Sequence, residues 1–442
     1  MIATIDLRGT AHTQGELSLL VPRARVDVTT ATAVAAGLID DVRVRGSEAL
    51  LEQAERLDGV RPSAVRVGEK ELERALGRIA PEVRDALEEA IRRVRVVSTA
   101  QLPVPVSTAL GDGAIVQQRW LPVRRVGLYV PGGKAVYPSS VIMNVVPAQV
   151  AGVASLVLAS PAQREFAGSV HPTILAAAAL LGVDEVYAMG GAGAIGALAH
   201  GVPDLGLEPV DLVTGPGNVW VAAAKRLVRG VVGIDAEAGP TEILVIADEH
   251  ADPVLVAADL VSQAEHDELA AAVLVTDSGD FAARARAEIG LLAESAHHGS
   301  RVRAALGGEQ SAIVLVDDLA AAARFSNAYG PEHLELQVRD PDAVLELVVN
   351  AGAIFLGESS PVSLGDYLAG SNHVLPTGGQ SRFSSGLGVA TFLRSQQVIR
   401  YDRVGLRDVR DRIVHLARAE DLPAHAAAVA ARFTLQPGPR AE

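Results

Sequence analysis

Short apolar stretches alternate with longer helical stretches through the middle of the chain. From Val126 onward, nine stretches of four to six residues are apolar, and Ala-rich or amphipathic segments lie between most of them. Apolar runs of this length are typical of buried strands. The alternation therefore predicts an α/β fold with parallel sheets. The predicted strands are Val126–Val130, Ser155–Ser160, Glu185–Met189, Asp211–Thr214, Glu242–Ala247, Ala271–Thr276, Ala312–Val316, Leu334–Val338 and Ala353–Leu356.

Apolar side chains spaced three and four residues apart predict helices on both sides of this region. Pro103, Pro105 and Pro122 mark a connecting stretch before the first strand, and the chain is expected to return to helices beyond about Gly386. The predicted flanking helices are Glu48–Leu57, Pro81–Ser98, Val404–Arg418 and Leu422–Phe433.

Nine strands exceed what one hydrophobic core comfortably holds, so we expect two α/β units. The segment Gly233–Glu242, GIDAEAGPTE, is the expected crossover between them.

Composition excludes several classes of protein. The chain has 442 residues, a net charge of −14 and no block of Lys and Arg, which disfavours a nucleic-acid partner. Its longest apolar run, Ile174–Val183, is far shorter than the ~20 residues that span a bilayer, and the N-terminus has no signal pattern. We therefore expect a soluble, cytoplasmic protein. The absence of cysteine excludes disulfides, thiolate metal sites and cysteine nucleophiles.

Three Gly-rich turns follow predicted strands: Tyr129–Gly133, Gly191–Gly196 and Thr214–Asn218. The second fits the G-x-G-x-x-G pattern, whose glycines let a backbone approach a pyrophosphate at a helix N-terminus. A chain with 42 glycines also matches that pattern by chance, and the Thr214–Asn218 turn is also explained as a tight connection between a strand and a helix. Because all three turns follow strands of one predicted unit, they should lie at the carboxyl-terminal edge of the same sheet, and we expect a nucleotide to bind there.

Polar residues that suit a divalent cation occur in three further places. Gln263 and His266 are three residues apart on a predicted helix, so both side chains lie on one face. Asp366 could add a carboxylate and His425 a second imidazole, a nitrogen and oxygen set compatible with Zn²⁺, Mn²⁺ or Co²⁺. Taken alone, the helical pair is more often a solvated face, and His425 is more often a capping or surface residue.

Glu332 and His333 lie at the start of a predicted strand, directly after the turn Gly330–Pro331. A carboxylate beside an imidazole can divide two proton transfers between them. A charged strand start without catalytic function explains the pair equally well. His373 lies with Asp366 in the Gly- and Ser-rich segment Ser363–Ser385, a composition typical of an exposed functional loop.

The motifs LYVPGG, GPGN, GPTE, SQAEH, GPEH, SLGDYLAGSNHVLPT and AEDLPAH occur in the order seen in histidinol dehydrogenases. The chain resembles this family from roughly Ile5 to Phe433. The resemblance implies oxidation of L-histidinol through the aldehyde to L-histidine with two NAD⁺, the last step of histidine biosynthesis. It also implies one Zn²⁺ per subunit and a domain-swapped homodimer with two incomplete Rossmann-like domains.

The resemblance assigns roles to individual residues. Glu332 and His333 would be the acid/base pair, and Tyr129 and Asn218 would line the NAD site. Zinc would be held by Gln263, His266 and Asp366, with His425 contributed by the other protomer, and His373 would lie in or next to this ligand shell. The implied substrate contacts are Thr241, Gln263, His266, His333, Asp366, Glu420 and His425.

The resemblance also implies a division of the chain into segments. Residues 1–24 would serve dimerisation, 25–125 plus 238–385 would form the substrate and metal domain, 126–237 would bind NAD, and 386–442 would reach the partner protomer. One departure concerns NAD, because Gly193 stands where the family usually carries a glutamine. The alternatives are a related dehydrogenase of another small amino or hydroxy alcohol, and a non-catalytic nucleotide- and metal-binding regulator.

Overall fold

The computed structural model describes residues 2–24, 28–132, 136–237 and 239–434. Within these ranges the chain forms fourteen strands and seventeen α-helices. The strands are β1 Ala3–Asp6, β2 Val106–Gly111, β3 Ala114–Pro122, β4 Arg125–Tyr129, β5 Ser155–Ser160, β6 Val186–Ala188, β7 Leu212–Thr214, β8 Gly233–Ile234, β9 Glu242–Ala247, β10 Ala271–Thr276, β11 Ala312–Leu315, β12 His333–Gln337, β13 Ala353–Leu356 and β14 Leu393–Tyr401. The helices are α1 Gln14–Leu20, α2 Val28–Arg45, α3 Ser47–Leu57, α4 Glu69–Arg78, α5 Pro81–Ala100, α6 Pro138–Ala151, α7 Pro172–Leu180, α8 Gly191–His200, α9 Val219–Val228, α10 Pro253–Ala264, α11 Gly279–Ser295, α12 Gly299–Gly307, α13 Leu319–Tyr329, α14 Pro341–Leu345, α15 Val362–Tyr367, α16 Arg403–Ala419 and α17 Pro423–Thr434.

The chain divides into two compact units. The first comprises Met1–Leu102 and Val123–Phe392 and contains two parallel sheets. The second comprises Pro103–Pro122 and Leu393–Glu442 and contains an antiparallel sheet with α16 and α17. The four segments expected from the family resemblance stay a prediction.

The larger parallel sheet has six strands in the order β1-β11-β10-β9-β12-β13. Its inner strands β9, β10 and β12 are buried along their whole length, which is why β9 and β10 are continuous apolar runs in the sequence. The chain passes from β9 to β10 and β11 on one side, and returns to place β12 and β13 on the other. The order therefore reverses between β9 and β12.

The smaller parallel sheet has five strands in the order β6-β5-β4-β7-β8. Its strand order reverses between β4 and β7, which pair in parallel. In open parallel sheets, ligands bind in the crevice at such a reversal, outside the carboxyl ends of the strands. The segment Gly233–Glu242 runs from β8 of this sheet to β9 of the larger one, and its residue Ala238 lies outside the described ranges.

The predicted fold class is confirmed, and all nine predicted strands occur with each end within one residue of its predicted position. Two expectations are wrong. The proline-marked stretch is not merely a connection, because it contains β2 and β3, and the chain beyond about Gly386 forms β14 before its helices. The strand β14 pairs antiparallel with β3 along nine residues. All six residues of β2 are exposed, so this sheet lacks the apolar alternation that identifies a half-buried strand.

None of the helices in the described part of the chain is both long and apolar enough to cross a bilayer.

Candidate active site

Glu332 and His333 lie at the amino end of β12, next to the amino end of β9, and the order of the larger sheet reverses between these two strands. The helix α13 ends at Tyr329, and Gly330 adopts the left-handed conformation with φ 58°, which turns the chain into β12. The neighbouring strand in space, β9, begins directly after Thr241. Glu332 Oε2 accepts hydrogen bonds from Thr241 Oγ1 at 2.6 Å and from the Glu242 backbone N–H at 2.8 Å.

The two side chains are buried, and burial moves their pKa values in opposite directions. Desolvation raises the pKa of Glu332 to about 8, against the opposing hydrogen bonds from Thr241 and Glu242. Desolvation also lowers the pKa of His333, so its imidazole is neutral at neutral pH. The Glu332 carboxyl can therefore hold or release a proton near neutral pH, while His333 can accept one.

The tautomer of His333 follows from its hydrogen-bond partner. Its Nδ1 lies 3.0 Å from the backbone oxygen of Glu242, and a carbonyl oxygen only accepts hydrogen bonds. The proton is therefore on Nδ1, and Nε2 carries the free lone pair. The same Nδ1 lies 3.6 Å from Glu332 Oε2, so the two groups of the pair are close neighbours.

Gln263 and His266 come to the same edge of the sheet because α10 runs back from the carboxyl end of β9. The prediction that one helix carries both residues is wrong for His266, because α10 ends at Ala264 and His266 lies two residues beyond that end. Gln263 Nε2 donates to Thr241 Oγ1 at 2.6 Å, which connects this amide to Glu332 through one hydroxyl. Asp366, near the end of α15, is close enough that its negative charge opposes the lowering of the His266 pKa by burial. The structure thus places the three proposed cation ligands of the first unit close to Glu332 and His333.

The donor chemistry of these three residues fits a cation. Gln263 uses its Nε2 on Thr241, which leaves the amide oxygen for another partner, and burial keeps His266 neutral with a free lone pair. Within the described ranges, no three His, Asp or Glu side chains converge as a metal centre requires. The set proposed for this unit includes two such side chains, His266 and Asp366, beside the amide of Gln263, so the proposed ligand set stays a prediction.

A contact between His373 and Ser140 connects this site with α6, the helix that follows the first strand of the smaller sheet. His373 Nδ1 contacts the backbone oxygen of Asp366 at 3.0 Å, and its Nε2 lies 3.1 Å from Ser140 Oγ in the first turn of α6. The sequence predicted a role for His373 next to the ligand shell, but it gave no sign of Ser140.

The crevice predicted to hold a nucleotide lies at the reversal point of the smaller sheet. Tyr129 ends β4, and its buried hydroxyl accepts from the backbone N–H of Gly191 at 3.1 Å. Asn218 caps α9 through Oδ1, which accepts from the N–H groups of Trp220 and Val221, so its Nδ2 stays available. Tyr129 and Asn218 therefore flank the position at which parallel sheets bind nucleotides.

The turn before Asn218 is held rigidly against Tyr129. Gly215 has φ +111°, and a Cβ there would lie 2.0 Å from the Tyr129 backbone oxygen, so only glycine fits. Lys225 Nζ donates to the Gly215 oxygen at 3.0 Å and pairs with Asp235, whose other oxygen accepts from the Gly215 N–H. Both charged side chains are buried.

The G-x-G-x-x-G match has a packing role. A Cβ at Gly193 would meet the side chain of Gln53, and one at Gly196 would meet Ile39, so these glycines let α8 approach α2 and α3 closely. Gly133, the last residue of the first predicted Gly-rich turn, lies outside the described residues.

Glu420 and His425 belong to the second unit. Glu420 is the C-cap of α16, and His425 lies in the first turn of α17, where both are exposed. Their predicted roles at the substrate and the metal stay predictions.

A buried glutamate and histidine with opposite pKa shifts, beside side chains that could hold a cation, in a unit with two parallel sheets, are features of an α/β enzyme. A family model described as "Histidinol dehydrogenase" matches residues 21–433. The chain is 67% identical to the histidinol dehydrogenase of Leifsonia xyli over 97% of this chain and 99% of that one, and 57% identical to that of Thermobifida fusca over 98% of both. The crystal structure of histidinol dehydrogenase from Elizabethkingia anophelis is similar with a TM-score of 0.90 and 30% identity, covering 98% of both chains. The chain belongs to the histidinol dehydrogenase family.

Proposed function

We propose that the protein oxidises L-histidinol through L-histidinaldehyde to L-histidine and reduces two NAD⁺, the last step of histidine biosynthesis. The observation that supports this most directly is that Glu332 and His333, whose pKa values shift in opposite directions, lie together at the amino ends of the strands of the larger sheet. The proposed cation ligands Gln263, His266 and Asp366 lie beside them. An oxidation from alcohol to acid needs several proton transfers, and this pair can divide them. A cytoplasmic location is part of the proposal.

His333 is the proposed base of the alcohol oxidation. Its Nδ1 proton is fixed by the Glu242 carbonyl oxygen, so the Nε2 lone pair is available to take the hydroxyl proton as hydride leaves the carbinol carbon. Because burial lowers the pKa of His333, the imidazole is not already protonated at neutral pH.

Glu332 is the proposed activator of water in the aldehyde oxidation. The chain has no cysteine, so the aldehyde cannot become a thiohemiacetal on an enzyme thiol, and water must add to its carbonyl carbon. With a pKa of about 8, the Glu332 carboxylate is an efficient proton acceptor once ionised. The hydroxyl of Thr241 and the N–H of Glu242 orient the carboxylate for this role.

The proposed ligands of one Zn²⁺ per subunit are Gln263, His266 and Asp366, with His425 of the partner subunit. Tyr129 and Asn218 are the proposed NAD contacts. When bound, NAD⁺ would accept hydride, and zinc, which has no redox role, would act as a Lewis acid toward the imidazole and amine nitrogens of the substrate. The proposed substrate contacts are Thr241, Gln263, His266, His333, Asp366, Glu420 and His425.

Counting NADH formed per L-histidinol consumed tests the proposal. The biosynthetic reaction yields two, a dehydrogenase that stops at an aldehyde yields one, and a nucleotide-binding regulator yields none. A related enzyme for another small amino or hydroxy alcohol would turn over that alcohol with a higher kcat/KM than L-histidinol.

The division of labour between the acid/base pair is tested by Glu332→Gln. This variant keeps an oxygen acceptor for Thr241 and removes only the ionisable carboxyl. We expect L-histidinol oxidation to the aldehyde in single-turnover measurements to stay near the wild-type rate, while oxidation of supplied L-histidinaldehyde slows by about 100-fold. Equal losses in both half-reactions would refute the assignment.

The homodimer with a shared site is tested by complementation. Glu332→Gln and His425→Ala dimers, each nearly inactive in the complete reaction, are mixed, dissociated and reassociated. If His425 acts across the interface, hybrid dimers contain one intact site, and activity reappears. If His425 acts within its own chain, both sites of the hybrid are defective and no activity is gained.

A further inference from the structure

The backbone of Glu242 holds both members of the acid/base pair. Its N–H donates to Glu332 Oε2 at 2.8 Å, and its carbonyl oxygen accepts from His333 Nδ1, 3.0 Å away. A rotation of this peptide segment would shift the carboxylate and the imidazole together. The position of Glu242 at the start of β9 is therefore a determinant of the geometry of the pair.

Arg23, in the segment after α1, binds the side chain of Glu242. The Arg23 guanidinium lies 2.5 Å from Glu242 Oε1, and Glu242 is buried with 6% of its surface exposed. Burial raises the pKa of this carboxyl to about 7, and the positive charge of Arg23 opposes that rise. Arg23 thus provides charge compensation for a buried carboxyl directly behind the pair.

The same guanidinium also binds the other strand connection. It donates to the backbone oxygen of Tyr329 and lies over the Tyr329 ring, 4.2 Å from its centre. Tyr329 is the last residue of α13, three positions before Glu332, and is fully buried. Arg23 therefore bridges the two backbone segments from which Glu332 and His333 are placed.

We infer that Arg23 is a positioning residue for the Glu332–His333 pair, acting through the carboxylate of Glu242 and the backbone oxygen of Tyr329. The inference rests on the proposed function, because it assigns Arg23 to the reaction of that site. Among the residues that the structure describes, Arg23 makes its hydrogen bonds and its ion pair with Glu242 and Tyr329, and none with Gln263, His266 or Asp366. Its loss should lower the rate of catalysis and leave the capture of substrate unchanged.

Arg23→Met tests the inference with its matched control, Arg286→Met. Arg286 also ties the N-terminal segment to the body of the unit, by donating to the Ile2 oxygen and to Thr4 Oγ1, but it is remote from the pair. We expect Arg23→Met to lower kcat for L-histidinaldehyde by about 10- to 100-fold, the order of effect that a displacement of about 1 Å can have, with KM for L-histidinaldehyde within twofold of wild type. Arg286→Met should keep the wild-type kcat.

Arg23→Lys provides the second variant. A lysine can pair with Glu242, but it lacks the planar fork that also reaches the Tyr329 oxygen. We expect a kcat between those of wild type and Arg23→Met, which a loss of folded protein alone would not produce at constant active-site concentration. If Arg23→Met does not fold, the Arg23→Lys value decides the question.

The outcomes separate the two proposals. If the wild-type protein does not form two NADH per L-histidinol, the proposed function fails. If it does, the inference about Arg23 is overturned by a wild-type kcat in Arg23→Lys, by equal losses in the Arg23 and Arg286 variants, or by a rise in KM that accounts for the whole loss in kcat/KM.

Discussion

Gly193 and Gln53 occupy one space between α8 and α3, and substituting either should change the effect of substituting the other. Gln53 is buried; its Nε2 donates to the Leu38 oxygen at 3.1 Å, and its Oε1 has no partner among the described residues. A methyl group on Gly193 would lie 2.1 Å from that Oε1. Since the two atoms cannot coexist there, Gly193→Ala must displace the Gln53 amide.

The magnitude follows from two opposed effects. Overpacking a core site costs about 1–3 kcal/mol, and losing the hydrogen bond to Leu38 costs about 1 kcal/mol more. Alanine is favoured over glycine in a helix by about 1 kcal/mol, and Gly193 has no positive φ that would oppose alanine. We expect Gly193→Ala to lower the free energy of unfolding by about 1–3 kcal/mol in the wild-type protein.

The sign should reverse when the obstacle is removed. In a Gln53→Ala background, the new methyl group meets Val42 at 3.5 Å, an ordinary contact. Gly193→Ala should then raise the free energy of unfolding by up to about 1 kcal/mol. Urea unfolding of the four proteins in this double-mutant cycle gives the coupling energy directly.

Gly290 supplies the control for helix propensity. It lies in α11 and is exposed, and a methyl group added there would have no described atom within 4 Å outside its own helix backbone. Gly290→Ala should be stabilising by up to about 1 kcal/mol in both backgrounds. An equal effect of Gly193→Ala with and without Gln53 would refute the steric argument.

Three other substitutions test buried features. Glu335 is fully buried, and burial raises its pKa, so the folded chain keeps a proton that the unfolded chain releases once the pH exceeds the ordinary pKa of 4.5. The free energy of unfolding should therefore fall as the pH rises toward the raised pKa. Glu335→Gln should remove about 1.4 kcal/mol of this decline per pH unit, measured by urea unfolding between pH 5 and 8. Asp235→Asn leaves the Lys225 ammonium buried and unpaired, so thermal and urea unfolding should show a loss of about 3–5 kcal/mol, and a loss below 1 kcal/mol would contradict the pairing. Gly215→Ala forces a Cβ against the Tyr129 oxygen at a positive φ, and should cost about 2–5 kcal/mol by urea unfolding and raise KM for NAD⁺.

The sequence predicted the parallel sheets well because their inner strands are buried on both faces. A strand such as β9 must be apolar at almost every position, so its limits can be read from composition alone. The antiparallel strands β2 and β14 could not be found this way. Most of their side chains are exposed, so no selection for a buried face marks them in the sequence.

The sequence predicted those site residues that belong to short sequence patterns. Glu332 and His333 follow a glycine turn and precede an apolar run, so a short pattern reveals them. The spacing of Gln263 and His266 also pointed to one location, although α10 ends before His266. Arg23 and Ser140 gave no such signal. Arg23 meets Glu242 across 219 positions, and Ser140 meets His373 across 233, and contacts at that separation leave no trace in local periodicity.

The direction of α10 has a consequence for which molecules the site attracts. This helix carries Gln263 in its C-terminal turn, and His266 follows two residues beyond its end, so the C-terminal end of the helix faces the same region. The aligned peptide dipoles give that end roughly half an elementary negative charge. The backbone itself thus biases the pocket toward ammonium groups and metal cations and against free carboxylic acids, a polarity that would draw in an amino alcohol and help expel the amino acid made from it.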